Sequence, residues 1–375
     1  MQSRFRTSLL VTGLIALSVL PFQEASASLE LRVLLETGCR SVRITGKMVG
    51  VTDSEGREYL PGDNVTATAR GINYFSIRGF GAEIPGPITV RSRKHLLSWD
   101  NKPLRGALEL SGSSDKGIDV INVVDLEDYL FGVVNSEISS SWPEEAVKAQ
   151  VVAARTYAVW KTRNSRNSHH VRATTLDQVY GGAQREDSRA IRAVNETRGL
   201  IMTHQDQPIL AYYHSCCGGH TDSAKQIKQR NLPCLEGVAC QWCRNSPKFH
   251  WDFFLSRKTL ARSLAKAGIG VGSIQRLLPT IRTPSGRILE LHVLGDNGEQ
   301  SISGETLRKV LGYTRIKSTI LDVSGDGRGF QFRGKGYGHG IGACQWGMRG
   351  MAEEGYSWVD ILRHYYVGAE LTKIY

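Results

Sequence analysis

Near its C-terminus the chain reads Gly334-Lys-Gly-Tyr-Gly-His-Gly-Ile-Gly342 and continues through Ala-Cys-Gln-Trp to Gly347. Glycine takes every second position from Gly334 to Gly342. In an extended strand, that alternation leaves one face without side chains, so backbone amides there can approach another chain or a ligand closely. A bulky neighbour is expected against the bare face. Helical periodicity begins directly afterwards, at Ala343, so the glycine segment must feed straight into a helix.

A chain of 375 residues, 41% of them hydrophobic, can bury a substantial core in one large domain or two ordinary ones. Residues 1–27 carry the marks of a secretory signal: Arg4 and Arg6, an apolar run from Leu9 to Leu20, and the small residues Ala25-Ser-Ala27. The run is short for a bilayer span. Cleavage and a periplasmic or extracellular location are therefore expected, with retention as an uncleaved anchor as the alternative and no other transmembrane candidate. The net charge is +11, and the basic residues are scattered, not gathered into a stripe. That argues against a nucleic-acid face and leaves wall polymers, anionic surfaces or plain solubility as its meaning.

From Leu29 to about Val124, short β-branched segments such as Leu31–Leu35, Ser41–Ile44 and Ile118–Val124 are separated by Gly, Asn, Asp and Pro, a pattern of strands and turns. Helical periodicity takes over across Asp125–Val134 and from Pro143 to about Arg163. Ser141 and Glu144 have capping-box spacing, with Pro143 in the first turn. Ala190–Arg198, Ser256–Ala267, Ala343–Glu354 and Trp358–Tyr366 also read as helices, and Leu200–Thr203 and Ile209–Tyr213 as strands. With no internal repeat and no low-complexity linker, the expected class is α+β: a β-rich region over 28–120 packed on a mixed α/β region over 121–375.

Glu137 falls in the polar stretch Val134-Asn-Ser-Glu-Ile-Ser-Ser-Ser-Trp142 between the first two helices. Beside Ile138 and Trp142, its carboxyl would lose solvation in the charged form, which raises its pKa toward values useful for proton donation. Spacing alone favours the plainer reading, a solvated loop glutamate. Arg155 emerges from a helix otherwise made of Ala146, Val147, Ala149, Val151, Ala153 and Ala154. It needs a partner, either a structural carboxylate or an anionic group of a substrate.

Leu126-Glu-Asp-Tyr-Leu, Val133-Val-Asn-Ser-Glu137 and Trp142-Pro-Glu-Glu-Ala-Val-Lys-Ala-Gln-Val-Val-Ala-Ala-Arg-Thr-Tyr-Ala158 together resemble the core of the sporulation stage II protein D and LytB amidase-enhancer family. Asp177-Gln-Val-Tyr-Gly-Gly182, Tyr213-His-Ser-Cys-Cys-Gly-Gly-His-Thr221 and the glycine segment with Gln345-Trp-Gly347 are similar to further motifs of that family, in the same order. The resemblance covers about Leu126 to Leu371, and nothing before about Val120 is diagnostic. It implies a substrate cleft and action on peptidoglycan, either as a lytic transglycosylase of peptide-free glycan strands or as an enhancer of a cell-wall amidase. Carried over by motif, the catalytic glutamate falls on Glu137 and its supporting arginine on Arg155. Tyr337, His339 and Gln345 are then expected to line the glycan cleft, although a structural hydrogen-bonding role for His339 stays open.

The chemistry so implied needs one carboxyl. It protonates the oxygen bridging N-acetylmuramic acid and N-acetylglucosamine, and the sugar's own 6-hydroxyl traps the oxocarbenium-like centre. No second carboxylate acts as nucleophile, unlike ordinary glycoside hydrolysis. Glu144 and Glu145 lie nearby but occupy a first helical turn, where acidic residues favour the positive helix end.

Five of the seven cysteines, Cys216, Cys217, Cys234, Cys240 and Cys243, fall close together in sequence, with Cys39 and Cys344 apart. Cys217, His220, Cys240 and Cys243 offer a four-ligand structural zinc set. An oxidising compartment favours disulfides across the same loop, and both readings stand. No cofactor is required for the expected chemistry. Some relatives of similar sequence carry zinc just before the Gln-Val-Tyr element, but Asp177 stands here where a cysteine would be expected, so that site is not transferred. A zinc amidase would have to draw its ligands from the Cys-rich segment, and thiolate-rich sites are typically closed. Gly338-His-Gly-Ile-Gly-Ala343 also fits a dinucleotide fingerprint, with Asp360 near the acidic position. The absence of an alternating strand-helix series argues against it.

Overall fold

The computed structural model describes residues 29–94, 96–113 and 117–375, so the expected signal segment lies outside the described residues. Period-two burial builds the front half. In the strand Ser41–Thr52, Val42 and Ile44 are buried while Ser41 and Arg43 are exposed. Strands of this kind assemble an 11-stranded sheet. Glu30–Cys39 pairs antiparallel with Ile118–Asp125, setting Glu30 opposite Asp125 and Val33 opposite Asn122. Ile118–Asp125 pairs on its other edge with Ala107–Gly112, so the expected boundary at residue 120 falls inside an internal strand.

Asp125 ends that strand and caps helix α1 (Leu126–Glu137), its carboxylate accepting from the amides of Glu127 and Asp128. Helix α2 (Glu144–Asn164) follows. The anticipated capping box is not formed: Pro143 stands at the N-cap position without a side-chain bond, and the Ser141 hydroxyl pairs with that of Ser139 at 2.7 Å. Charge anchors the first turn instead, where Lys148 reaches Glu144 at 2.8 Å and Glu196 at 2.7 Å. The small residues of α2 serve two cores at once. Val147, Val151, Ala154 and Ala158 join the sheet and α1, while Ala146, Ala149, Val152 and Ala153 face a second core.

The remaining helices are α3 (Ser188–Glu196), α4 (Ala224–Lys228), α5 (Arg257–Lys266), α6 (Gly304–Leu311), α7 (Gln345–Glu353) and α8 (Trp358–Tyr365). The second core sits between α2, α7, α8 and the cysteine-rich loops. The expected strand at Ile209–Tyr213 resolves into two short pieces, Gln207–Pro208 and Tyr213–His214. A third core, with Leu260, Leu264, Leu291, Leu307 and Phe332, lies within two three-stranded sheets and α5 and α6. The α+β class is as expected. No helix among the described residues is long and apolar enough to cross a membrane.

The glycine alternation proves not to be a bare strand face. Only its start belongs to the strand Gly329–Lys335; Gly336, Gly338, Gly340 and Gly342 all take positive φ. At Gly340 (φ +84°) a Cβ would lie 2.2 Å from the guanidinium carbon of Arg287. The bulky neighbour is the protein's own interior, and a left-handed backbone with no side chain is the conformation only glycine adopts readily.

Candidate functional site

Glu137 is the last residue of α1, which runs three residues past the expected end at Val134, so the carboxyl sits at a helix end and not in the loop. The residue is half-buried and lines an open groove of about 630 Å³ with Ser139, Trp142, Arg185, Ser215, Gln345 and Trp346 among its neighbours. One carboxylate oxygen accepts from the Val179 amide at 2.6 Å. Burial raises the carboxyl's pKa above its ordinary value, and the Val179 amide, Gln345 and the Tyr213 hydroxyl offset only part of the rise. A proton is therefore held to higher pH than on a solvated glutamate.

A buried polar chain stands behind Tyr213. The Tyr129 hydroxyl donates to Gln178 Oε1 at 3.1 Å, and Gln178 Nε2 donates to the Tyr213 hydroxyl oxygen at 3.0 Å. That leaves Tyr213's own hydroxyl proton free to point at Glu137. Trp142 and Trp346, on opposite sides of α2 in sequence, meet edge-to-face with ring centroids 5.2 Å apart. Arg349 lies over both rings, making a cation-covered aromatic cluster at the wall of the groove.

The other two carboxylates lining the groove are committed. Glu186 pairs with Arg105 through two bonds of 2.7 and 2.8 Å. Asp187 caps α3 by accepting from the Arg189 and Ala190 amides, both at 2.9 Å, and also accepts from Asn135 and Ser140. Burial works to raise the pKa of Asp187, but these hydrogen bonds outweigh it and hold the group below the usual carboxylate range. Glu145 is spent outside the groove, accepting from the Trp358 amide at 2.8 Å at the start of α8.

Several expected site residues lie elsewhere. Arg155 does not reach the groove: it is fully buried and forms a two-bond pair with Glu127, at 2.9 and 2.7 Å. Its remaining N–H groups go to Val194, Thr197 and Leu200. Of the two partners open to it, the structural carboxylate prevails. His339 is also outside the groove. Its Nε2 donates to the Tyr213 carbonyl at 3.0 Å and its Nδ1 accepts from the Ile341 amide at 3.1 Å, which requires the neutral ring. Burial pushes its pKa down to about 3. Its hydrogen bond to Tyr213 is made to that residue's backbone carbonyl, not to the hydroxyl that faces Glu137. Tyr337 is bound by its main chain to Cys216 and packs on the second core. Gln345 alone of that trio stands in the groove beside Glu137.

Asp177, standing where a cysteine was expected, accepts from Tyr157 at 2.6 Å, Lys161 at 2.7 Å and the Arg172 amide at 3.0 Å, a loop lock with no spare ligand. The cysteine set also changes. Cys217, Cys240, Cys243 and Cys344 gather with their sulfurs all within 4.8 Å of one another, and all are buried. His220 is exposed, its ring turned to the Thr221 carbonyl. Cys344, far from the others in sequence, is the fourth member of the group instead.

Tyr213, Gln178 and Trp346 went unassigned in the sequence, although each lies in a quoted motif. A glutamine or tyrosine in an apolar setting is the signal available, because a buried polar group needs partners. A larger groove of about 920 Å³, over Trp251, Arg282 and Arg333, shares no lining residue with that of Glu137.

Residues 114–204 match the family model described as stage II sporulation protein, and residues 236–342 match a domain of unknown function. The chain is similar to the stage II sporulation protein D of Bacillus amyloliquefaciens, with 30% identity over 67% of this chain and 75% of that protein. It is 35% identical to an uncharacterized protein of Brachyspira hyodysenteriae over 68% of each chain. It is 31% identical to the amidase enhancer of Bacillus subtilis, covering 65% of this chain but 40% of that protein.

Proposed function

The chain belongs to the stage II sporulation protein D family, and from that premise we propose that it is an envelope protein that cleaves peptidoglycan glycan strands as a lytic transglycosylase. The observation that carries the reading is Glu137: a carboxyl with a raised pKa in an open, aromatic-walled groove whose other carboxylates are already committed. One free acid suits intramolecular trapping better than hydrolysis by a carboxylate pair.

Glu137 would give its proton to the oxygen bridging N-acetylmuramic acid and N-acetylglucosamine as the bond from that oxygen to the anomeric carbon breaks. The muramic acid 6-hydroxyl then bonds to the anomeric carbon and its proton passes to the Glu137 carboxylate. Atoms balance without water, the acid is regenerated, and the product ends in 1,6-anhydro-muramic acid. Gln345 and Tyr213 would steady the carboxylate between the two transfers, and Trp142 with Trp346 would hold the sugar faces. The leader-like residues 1–27 support export to the wall, with cleavage or anchoring as the two routes.

The amidase-enhancer relative favours a second reading, a non-catalytic wall module acting with a cell-wall amidase. Incubation with peptide-stripped glycan strands and mass spectrometry of the ends separates the two. Anhydro ends are expected with the wild type and reduced at least about a hundredfold in Glu137→Gln. Their absence with wild type, or persistence in the variant, would sink the enzymatic reading.

A further inference from the structure

We propose that Cys217, Cys240, Cys243 and Cys344 hold a single Zn²⁺ as a closed tetrathiolate site, independently of what Glu137 does. Four thiolates around zinc at about 2.3 Å leave neighbouring sulfurs roughly 3.8 Å apart. Here the Cys217 and Cys243 sulfurs are 3.5 Å apart, and all four lie within 4.8 Å of one another. The surroundings suit thiolates. Cys344 Sγ accepts from the amides of Cys217 at 3.2 Å and Gly347 at 3.3 Å, and Cys217 Sγ from that of Gly219 at 3.4 Å. Tyr365 places its hydroxyl 3.1 Å from Cys240 Sγ. Hydrogen bonds of this kind orient ligands and spread a site's negative charge. Cys344 is also the N-cap of α7, where the helix dipole favours an anion.

A further charge points the same way. Arg287 is fully buried, donates to the Cys217 carbonyl at 2.6 Å and has a buried Nη1 without a hydrogen-bond partner. Its single charge is paired with Asp222 at 2.8 Å, and the same cation lies beside Cys217, where it would also attract a dianionic metal tetrathiolate. Glycine at 347 is also required: a Cβ there would sit 2.6 Å from Cys240 Sγ and 1.9 Å from the Tyr365 hydroxyl.

With four protein ligands the ion has no open position, so its role is to tie three distant segments together. One of them ends at Cys344, directly before Gln345 in the groove. Sequence spacing favoured His220 because it sits close by; the fold brings Cys344 in from 101 residues beyond Cys243.

The full chain should be purified without chelator, its zinc measured by plasma mass spectrometry, and its thiols counted by alkylation before and after denaturation. A single zinc per chain is expected, with peptide mapping showing Cys217, Cys240, Cys243 and Cys344 alkylated only after denaturation with a chelator; Cys216 and Cys234 are buried as well, so protection of those two carries no weight. His220→Ala should retain the metal and Cys344→Ser should lose it. Should Cys344→Ser fail to fold, cobalt substitution of the wild type gives the second readout, a thiolate-to-cobalt charge-transfer spectrum of tetrahedral four-sulfur type. Disulfides among these four cysteines, metal-free and freely alkylated thiols, a cobalt spectrum with nitrogen ligation, or loss of zinc in His220→Ala would each overturn the proposal.

Discussion

Glu137 illustrates how one side chain takes its chemistry from its surroundings. Nothing in Asn-Ser-Glu-Ile distinguishes it from a solvated glutamate; its raised pKa comes from the walls the fold puts around it, against the pull of Val179, Gln345 and Tyr213. The consequence for stability has a definite sign. Because the folded pKa is raised, the native chain holds this proton where the unfolded chain has lost it, so stability falls as pH rises from the ordinary carboxylate value through the raised one. Above that window the ionised carboxyl is a standing cost, which glutamine lacks. Glu137→Gln should therefore melt above the wild type at neutral pH, and the gap should close below the ordinary carboxylate range. Calorimetry across pH checks this, and a variant less stable than wild type at neutral pH would contradict it. The general acid must be protonated to act, so activity should fall as pH rises through the same raised value.

At the scale of elements, α2 shows how a helix can be read correctly and its key residue misassigned. Its alanines and valines announce tight packing, and the structure gives them two cores to pack against. Arg155 had two candidate partners, and choosing between them required knowing that Glu127, 28 residues earlier, sits across the interface. Removing one member of a buried pair leaves the other uncompensated. Arg155→Met should cost about 3 kcal/mol or more in denaturant unfolding, and Arg155→Met with Glu127→Leu should recover part of that loss. Folded Arg155→Met should keep a wild-type KM for glycan, whereas an arginine that bound the substrate would raise it. The glycine segment teaches a related lesson. Alternation was visible in the sequence, but whether it meant a flat strand or a left-handed coil depended on Arg287, Tyr212 and His214, which fill the space around it.

Across the whole molecule, the β-rich front and the family core are one structure. The strand Ile118–Asp125 lies between Glu30–Cys39 and Ala107–Gly112, and its end becomes the cap of α1. A chain of residues 121–375 should therefore fail to fold, since it keeps α1 but loses the sheet that covers its apolar face; near-ultraviolet circular dichroism and solubility report the outcome, and a cooperative melt would refute it. The α+β class, the main helices, the family motifs and the candidacy of Glu137 were legible in the sequence by itself, because periodicity and motif order are local properties of the chain. Which residues share a site was not. The gathering of Cys344 with Cys217, Cys240 and Cys243, the burial of Arg155 against Glu127, the placement of His339 outside the groove, and the meeting of Trp142 with Trp346 all depend on contacts between distant segments. Only tertiary packing decides these, since burial and partner geometry, not residue type, determine whether a polar group is free to act.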